Sequence, residues 1–172
     1  MNIFQWNILL LSLYAFIFLV LFRKFKQSKK LFAILASIQL ILILGFRAPY
    51  VGIDMGRYHR LFNKVLNTSS LIELFNVSRQ EKGYLLLQKI FTLFSDNFQI
   101  YIFLISAFTL IILGIFIYKY SSAPYLSFML YICLGFYDFS FSGLRQTIAM
   151  AIILIGFHYI LEKSLINLLS QS

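Results

Sequence analysis

The amino-acid sequence predicts an all-α, polytopic integral membrane protein with about five transmembrane helices and a long outer loop that carries interfacial helices. Of its 172 residues, 60% are hydrophobic and only 12% are charged, whereas a soluble domain usually contains about 25% charged residues. The apolar residues are concentrated in long runs, and a group of basic residues is crowded between the first two runs. We expect residues 1–172 to form a single membrane domain.

Five apolar runs have the length that a transmembrane helix requires or come close to it. The hydrocarbon core of a bilayer is about 30 Å thick and is crossed by roughly 17–25 helical residues. Because lipid offers the backbone no hydrogen-bond partners, helices are the expected form of these runs. The predicted spans are residues 4–22, 31–46, 98–118, 125–141 and 144–161.

The basic residues predict how the chain is oriented. Five of them lie in one short connection: Arg23, Lys24, Lys26, Lys29 and Lys30. Dense positive charge beside a span usually remains on the cytoplasmic side, so we expect the N-terminus outside and residues 47–97 as the outer loop. These charges follow the first run, so that run is not expected to be a cleavable signal peptide. The formal net charge of +9 therefore reflects orientation, and no nucleic-acid partner is expected.

The outer loop is expected to contain structure of its own. Gly52, Ile53 and Asp54 predict a turn, and short helices are predicted over residues 58–66 and 70–75. Residues 81–94 mix apolar with polar positions and are too short for a span, so they predict an interfacial helix on the outer leaflet. The alternative is that residues 81–95 do cross the membrane, which would invert the topology of everything after them. The loop is itself basic, which an anionic ligand on the outer side would explain.

The first candidate site lies where the second predicted span leaves the membrane. Arg47 and Arg57 carry guanidinium groups that can bind phosphate oxygens through two parallel hydrogen bonds, and Tyr58 follows directly. Asp54 can act as a general base or hold a divalent cation. The alternative is an interfacial Arg–Asp pair that only anchors the loop.

Glu81 and Arg145 mark two further candidate sites. A carboxylate at the start of a helix is favoured by the helix dipole, so Glu81 can be a simple cap. Arg145 lies one turn into an apolar helix, where a cation is costly unless it is paired or faces a wet cavity. Ligand binding and structural pairing with Asp138 both remain open for Arg145.

Several kinds of chemistry are disfavoured. The single cysteine, Cys133, forms neither a disulfide framework nor a Cys-rich metal site. His59 has no second histidine or cysteine nearby, so no zinc site is expected. The chain has no Gly-rich phosphate loop, which argues against nucleotide-driven chemistry. We predict no metal site and no resident cofactor; a divalent cation is compatible with the sequence but not indicated by it.

Three stretches occur in a familiar order. They are Arg47-x6-Asp54-x3-Tyr58, then Glu81-x-Gly83-Tyr84-Leu85-Leu86-Leu87 with Lys89, and then Ser142-Gly143-Leu144-Arg145-Gln146-Thr147-Ile148-Ala149. Together they resemble the EpsG family, integral-membrane proteins of bacterial capsule and exopolysaccharide clusters that are regarded as Wzy-type polymerases. The likeness extends from about Leu31 to Lys163. The family often has Pro where this chain has Lys82.

The resemblance implies a GT-C-like glycosyltransferase in the bacterial cytoplasmic membrane. It would polymerise oligosaccharide repeat units linked to polyprenyl pyrophosphate, on the outer face of that membrane. The resemblance implies that Asp54 is the catalytic base or a metal ligand. It also implies a set of substrate-binding residues, of which the arginines would stabilise the pyrophosphate leaving group: Arg47, Arg57, Tyr58, Glu81, Tyr84, Arg145 and Gln146.

The resemblance also implies partners and leaves two alternatives. The expected partners are the lipid-linked oligosaccharide, membrane lipid and other proteins of capsule or exopolysaccharide assembly. Members of the family are considerably longer and carry further membrane helices, so we expect this chain to be C-terminally truncated, and whether it is an active enzyme stays open. The alternatives are a non-catalytic truncated remnant and a transporter or flippase component for lipid-linked sugars. The transporter would need polar residues at mid-membrane, and the helix centres here are nearly all apolar.

Overall fold

The protein is described by a computed structural model that covers residues 3–22, 25, 27–77 and 80–169. Every regular element in this part of the chain is helical, as the sequence predicts. The helices are α1 (Ile3–Val20), α2 (Ser28–Gly45), α3 (Met55–Asn67), α4 (Leu71–Val77), α5 (Lys82–Thr92), α6 (Phe98–Tyr120), α7 (Pro124–Cys133), α8 (Phe136–Phe139) and α9 (Leu144–Leu169).

Helix α2 is packed between α1 and α6, and both of these run antiparallel to it. The Gln39 side chain donates to the Asn7 carbonyl oxygen at 3.2 Å, and the Gln99 side chain donates to the Gly45 carbonyl oxygen at 2.7 Å. A Cβ atom on Gly114 would lie only 2.1 Å from an atom of α2. Such close helix contact through small residues is typical of packing inside membranes.

Residues 124–142 run the full length of α2 in the same direction. The Tyr125 hydroxyl lies 3.2 Å from the Ser28 hydroxyl at one end of the bundle. Further along, the Tyr137 hydroxyl donates to the Leu40 carbonyl oxygen at 2.9 Å. The segment therefore crosses the bundle, as the predicted span over residues 125–141 requires.

The prediction that residues 125–141 form one continuous helix is wrong. Helix α7 ends at Cys133, and Gly135 takes a left-handed backbone conformation with φ of +80°. Helix α8 follows, and the chain then reverses direction before α9. We call residues 138–142, where it reverses, the corner. Glycine adopts this conformation without steric cost, so the break occurs at Gly135 although the apolar run continues through it.

Helix α9 runs parallel to α6. Its Phe157 ring lies 5.7 Å from the Phe116 ring and 6.1 Å from the Tyr120 ring.

Among the described residues, the long elements run alternately between two ends of the bundle. These elements are α1, α2, α6, the α7–α8 segment and α9. We call the two ends the loop end, where residues 46–97 leave and return, and the basic end, where Lys29 donates to the Ser122 carbonyl oxygen at 2.7 Å. Arg23, Lys24 and Lys26 lie outside the described residues.

Two helices, α2 and α6, are long and apolar enough to cross a membrane by length and composition. Shorter apolar stretches occur at Gln5–Val20, Pro124–Cys133 and Leu144–Phe157. The bounds of α1, α2 and α6 agree with the predicted spans to within three residues. Helix α9 continues to Leu169, beyond the predicted end at residue 161.

The loop contains the three short helices that the sequence predicts, as α3, α4 and α5. The 11 residues of α5 span about 16 Å, roughly half the thickness of a bilayer core, so the alternative of a sixth span is not supported. Helix α5 lies across α3, and Leu85 is fully buried with Val65 and Leu74 in a small core of the loop. The loop is therefore packed on itself at the loop end.

Candidate functional site

Residues from all three stretches that carry the family resemblance meet at the loop end. The Arg145 guanidinium donates to the Glu81 carboxylate and lies over the Tyr58 ring, 5.9 Å from its centroid. The Tyr58 and Tyr84 rings are in edge-to-face contact with their centroids 5.9 Å apart. We call Tyr58, Glu81, Tyr84 and Arg145 the Arg145 cluster.

Three helices begin at the Arg145 cluster. Tyr58 is in the first turn of α3, Glu81 is the N-cap residue of α5, and Arg145 is the second residue of α9. The N-terminus of a helix carries partial positive charge and free N–H groups. Three helix N-termini and one guanidinium group therefore favour the binding of an anion at the cluster.

The ion pair in the cluster is accessible to water. The side chain of Arg145 is 31% exposed and that of Glu81 is 67% exposed. A hydrogen bond from the Glu81 backbone N–H and one from Arg145 hold the pKa of the Glu81 carboxyl below its ordinary value. The Arg145 Nε atom is buried and has no hydrogen-bond partner among the described residues. The structural pairing left open between Arg145 and Asp138 is wrong, because Glu81 is the carboxylate that Arg145 binds.

Buried polar side chains lie behind the cluster, and sequence reasoning missed them. Gln88 is fully buried and its amide donates to the Tyr84 hydroxyl at 3.3 Å. Burial raises the pKa of Tyr84, with a smaller contribution from Tyr101, so the Tyr84 hydroxyl stays neutral at physiological pH. The signal that could have found this group is Gln88 itself, a polar residue within an apolar helix pattern.

The structure places Arg47 in a different environment, buried against the corner. Its side chain donates to the Ser140 carbonyl oxygen at 3.1 Å and lies 3.3 Å from the Met55 sulfur. Its guanidinium is 5.2 Å from the centroid of the Phe141 ring. Burial lowers the pKa of Arg47 to about 10, so the side chain is still charged at neutral pH. No carboxylate of the described residues forms an ion pair with it.

Asp54 and Arg57 pair with each other at the surface. Their side chains are 3.5 Å apart, and they are 39% and 79% exposed respectively. Asp54 is the N-cap residue of α3 but its side chain makes no capping hydrogen bond. The pair has the form of the Arg–Asp anchor considered from the sequence, with Arg57 rather than Arg47 as the partner.

A close contact between residues 52–53 and 141–142, which we call the junction, joins the first of the three stretches to the third. The Ile53 backbone N–H donates to the Ser142 hydroxyl at 3.1 Å. Gly52 has φ of +121°, and a Cβ atom there would lie 2.0 Å from the Phe141 carbonyl oxygen. The junction holds the starts of α3 and α9 together, and with them Asp54 and the Arg145 cluster.

Gln146 is separate from the Arg145 cluster. It follows Arg145 in α9, is exposed, and its side chain makes no hydrogen bond within the part of the chain that the structure describes. Across the described residues, no three His, Cys, Asp or Glu side chains are grouped in a way that could hold a metal ion.

Comparison with known proteins places the chain in a family. The family model described as "EpsG family" matches residues 30–170. No curated protein and no solved structure matches the chain. The matched region contains Arg47, Asp54 and the whole Arg145 cluster. The chain therefore belongs to the EpsG family, and this membership indicates a role in exopolysaccharide polymerisation.

Proposed function

We propose that the chain polymerises oligosaccharide repeat units linked to polyprenyl pyrophosphate, in capsular or exopolysaccharide biosynthesis, on the outer face of the bacterial cytoplasmic membrane. The observation that carries the proposal is the Arg145 cluster, where three distant stretches supply a guanidinium, a carboxylate and two tyrosines to one water-accessible point. Membership of the EpsG family supports the same class of reaction.

We place the chain in the membrane as five spans with the N-terminus outside. The supporting observation is the alternation of α1, α2, α6, the α7–α8 segment and α9 between the loop end and the basic end. Both short connections meet at the basic end, as the Lys29–Ser122 contact indicates, and short basic connections remain in the cytoplasm. The loop end, with the Arg145 cluster, then faces the outside.

In the proposed reaction the growing chain moves from its lipid carrier to a new repeat unit. A hydroxyl oxygen of the new unit forms a bond to the anomeric carbon of the growing chain. The bond from that carbon to the pyrophosphate oxygen breaks, and polyprenyl pyrophosphate leaves with the electron pair. Arg145 and the three helix starts stabilise the leaving pyrophosphate, and Arg57 supports them with its positive charge. Arg47, whose side chain donates to the Ser140 carbonyl oxygen, is proposed to anchor the loop to the corner.

Asp54 is the proposed acceptor of the hydroxyl proton. Its ion pair with Arg57 is exposed and contributes little to stability. Separating the pair when substrate binds therefore costs little free energy. Tyr58, Tyr84 and Gln146 are proposed to contact the substrate's saccharide. No nucleotide or resident cofactor is needed, because the bond that breaks is already activated by pyrophosphate. Other proteins of polysaccharide assembly are the proposed source of the lipid-linked units.

Complementation of a polymerase-deletion strain tests the proposal. The chain should restore long polymer on a gel, and Arg145→Gln and Asp54→Asn should each reduce it to single repeat units at equal membrane expression. Arg60→Gln is the matched control, since Arg60 is exposed on α3 and lies outside the cluster. If the well-expressed chain yields only single repeat units, the proposal that it polymerises them is wrong. One of the two alternatives, a non-catalytic remnant or a transporter component, then takes its place. Long polymer from Arg145→Gln would contradict the assignment of the site.

A further inference from the structure

A cavity separate from the Arg145 cluster lies at the loop end. It has a volume of about 680 Å³ and is lined by the last turn of α2, the loop over residues 47–53 and the corner. This volume falls within the range of about 300–1,000 Å³ that is typical of ligand sites. Nothing in the proposed reaction uses it so far, although a polymerase must hold two saccharides at once.

The cavity has one apolar wall at the surface of the bundle. Leu42, Ile43 and Phe46 of the α2 end form this wall, and Phe46 is 69% exposed. Leu42 is also exposed, and the Phe46 ring lies 5.1 Å from the Phe103 ring of α6, so this wall continues onto the outer surface of α6. A ligand that carries an apolar tail can therefore enter sideways from the bilayer.

The polar groups of the cavity suit hydroxyl groups better than phosphate. Asp138 lines the cavity, is exposed, and has no side-chain partner among the described residues. The Ser142 hydroxyl also lines it; this oxygen accepts from the Ile53 N–H, so its own hydrogen remains available to donate. Arg47 is turned into the corner by its bond to Ser140. An unpaired carboxylate repels phosphate and accepts hydrogen bonds from hydroxyl groups.

We propose that this cavity binds the acceptor saccharide, with Asp138 accepting hydrogen bonds from its hydroxyl groups and the Phe46 ring packing against its C–H face. This inference rests on the proposed function, since it divides the two substrates between two sites. The Arg145 cluster takes the pyrophosphate of the growing chain, and the cavity takes the unit that attacks. The Ile53–Ser142 hydrogen bond links the cavity to the proposed base, because Ile53 lines the cavity and precedes Asp54 directly.

Binding of a lipid-free saccharide tests the inference without requiring polymerisation. The probe is the oligosaccharide released by mild acid from lipid-linked repeat units of the producing strain, titrated against the full chain in nanodiscs. Asp138→Asn keeps the shape of the side chain and removes its charge, and should weaken binding by roughly tenfold or more. Asp96→Asn is the matched control, an exposed carboxylate of the loop end outside the cavity, and should bind like the wild type.

The outcomes separate this inference from the proposed function. If Arg145→Gln binds the oligosaccharide normally while polymer is lost, the two sites are distinct, as proposed. If the chain binds oligosaccharide through Asp138 but never makes polymer, the cavity stands and polymerisation fails. If polymer forms and Asp138→Asn binds as tightly as the wild type, the assignment of the cavity is wrong. Absence of binding by the wild-type chain would overturn it as well.

Discussion

Arg145 and Glu81 are 64 residues apart in the chain, yet their side chains form an ion pair at the start of two different helices. The pair ties α9 of the bundle to α5 of the loop, and it lies against the buried ring of Tyr58. The packing of the loop on the bundle thus creates the site, because no two of these three residues are neighbours in sequence.

Separating the pair should lower stability only slightly. We expect a coupling free energy below about 1 kcal/mol between Glu81→Gln and Arg145→Gln in a double-mutant cycle, because both side chains are partly exposed. Unfolding of the detergent-solubilised chain measures it. A coupling of several kcal/mol would mean that the pair is a structural element of the fold rather than an exchangeable part of a site.

The contribution of Glu81 should depend on pH in acid. Since the pKa of Glu81 is lowered in the folded chain, its stabilisation is fully present above the unfolded value of about 4.3. It is lost as the pH falls through the folded pKa, because the carboxyl is then protonated in both states. The melting temperatures of wild type and Glu81→Gln should therefore converge below about pH 4 and differ by a constant amount near pH 7. A difference that grows as the pH falls would contradict the direction of the shift.

Gly52→Ala should be strongly destabilising. The new Cβ would lie 2.0 Å from the Phe141 carbonyl oxygen, on a backbone with φ of +121°, and a backbone oxygen cannot rotate away. We expect a loss of about 3 kcal/mol or more in the free energy of unfolding.

Gly83→Ala is the matched control for Gly52→Ala. A Cβ on Gly83 would meet no atom within 4 Å, and alanine favours the α5 helix by up to about 1 kcal/mol. Its stability should equal or exceed that of the wild type. Equal losses in the two variants would show that the junction at Gly52 is looser than described.

Arg47→Lys separates an anchoring role from a ligand-binding role. Lysine keeps the charge but cannot reach Ser140 and Met55 with two nitrogen atoms, so we expect a loss of about 1–3 kcal/mol in unfolding free energy. Arg60→Lys, at an exposed position, should change it by less than about 0.5 kcal/mol. Unchanged stability of Arg47→Lys together with lost polymer would assign Arg47 to the substrate instead.

Much of the architecture could be predicted because it depends on local patterns. The length of each apolar run predicted α1, α2 and α6, and cap residues and amphipathic spacing predicted the helices of the loop. The break at Gly135 was not predictable, since the apolar run continues through it and only the backbone conformation shows the turn. The direction of the chain through the bundle followed from the alternation of long runs.

The contacts of the site were less predictable, because they join distant parts of the chain. Asp138 was considered as the partner of Arg145 since it is close in sequence, whereas the fold brings Glu81 to it. Arg47 and Asp54 looked like one group by spacing, but burial turns Arg47 toward Ser140 and leaves Asp54 at the surface. Periodicity reports which face of a helix is buried and carries no information on which faces meet.

The most direct test of the central claim uses purified full chain in nanodiscs, supplied with polyprenyl-pyrophosphate-linked repeat units. Wild type and Arg60→Gln should produce a ladder of polymer lengths with release of polyprenyl pyrophosphate, and Arg145→Gln should leave single units. If Arg145→Gln produced the same ladder as the wild type, the Arg145 cluster would not be the site. If no form of the well-folded chain extended the repeat unit, polymerisation by this chain would be excluded.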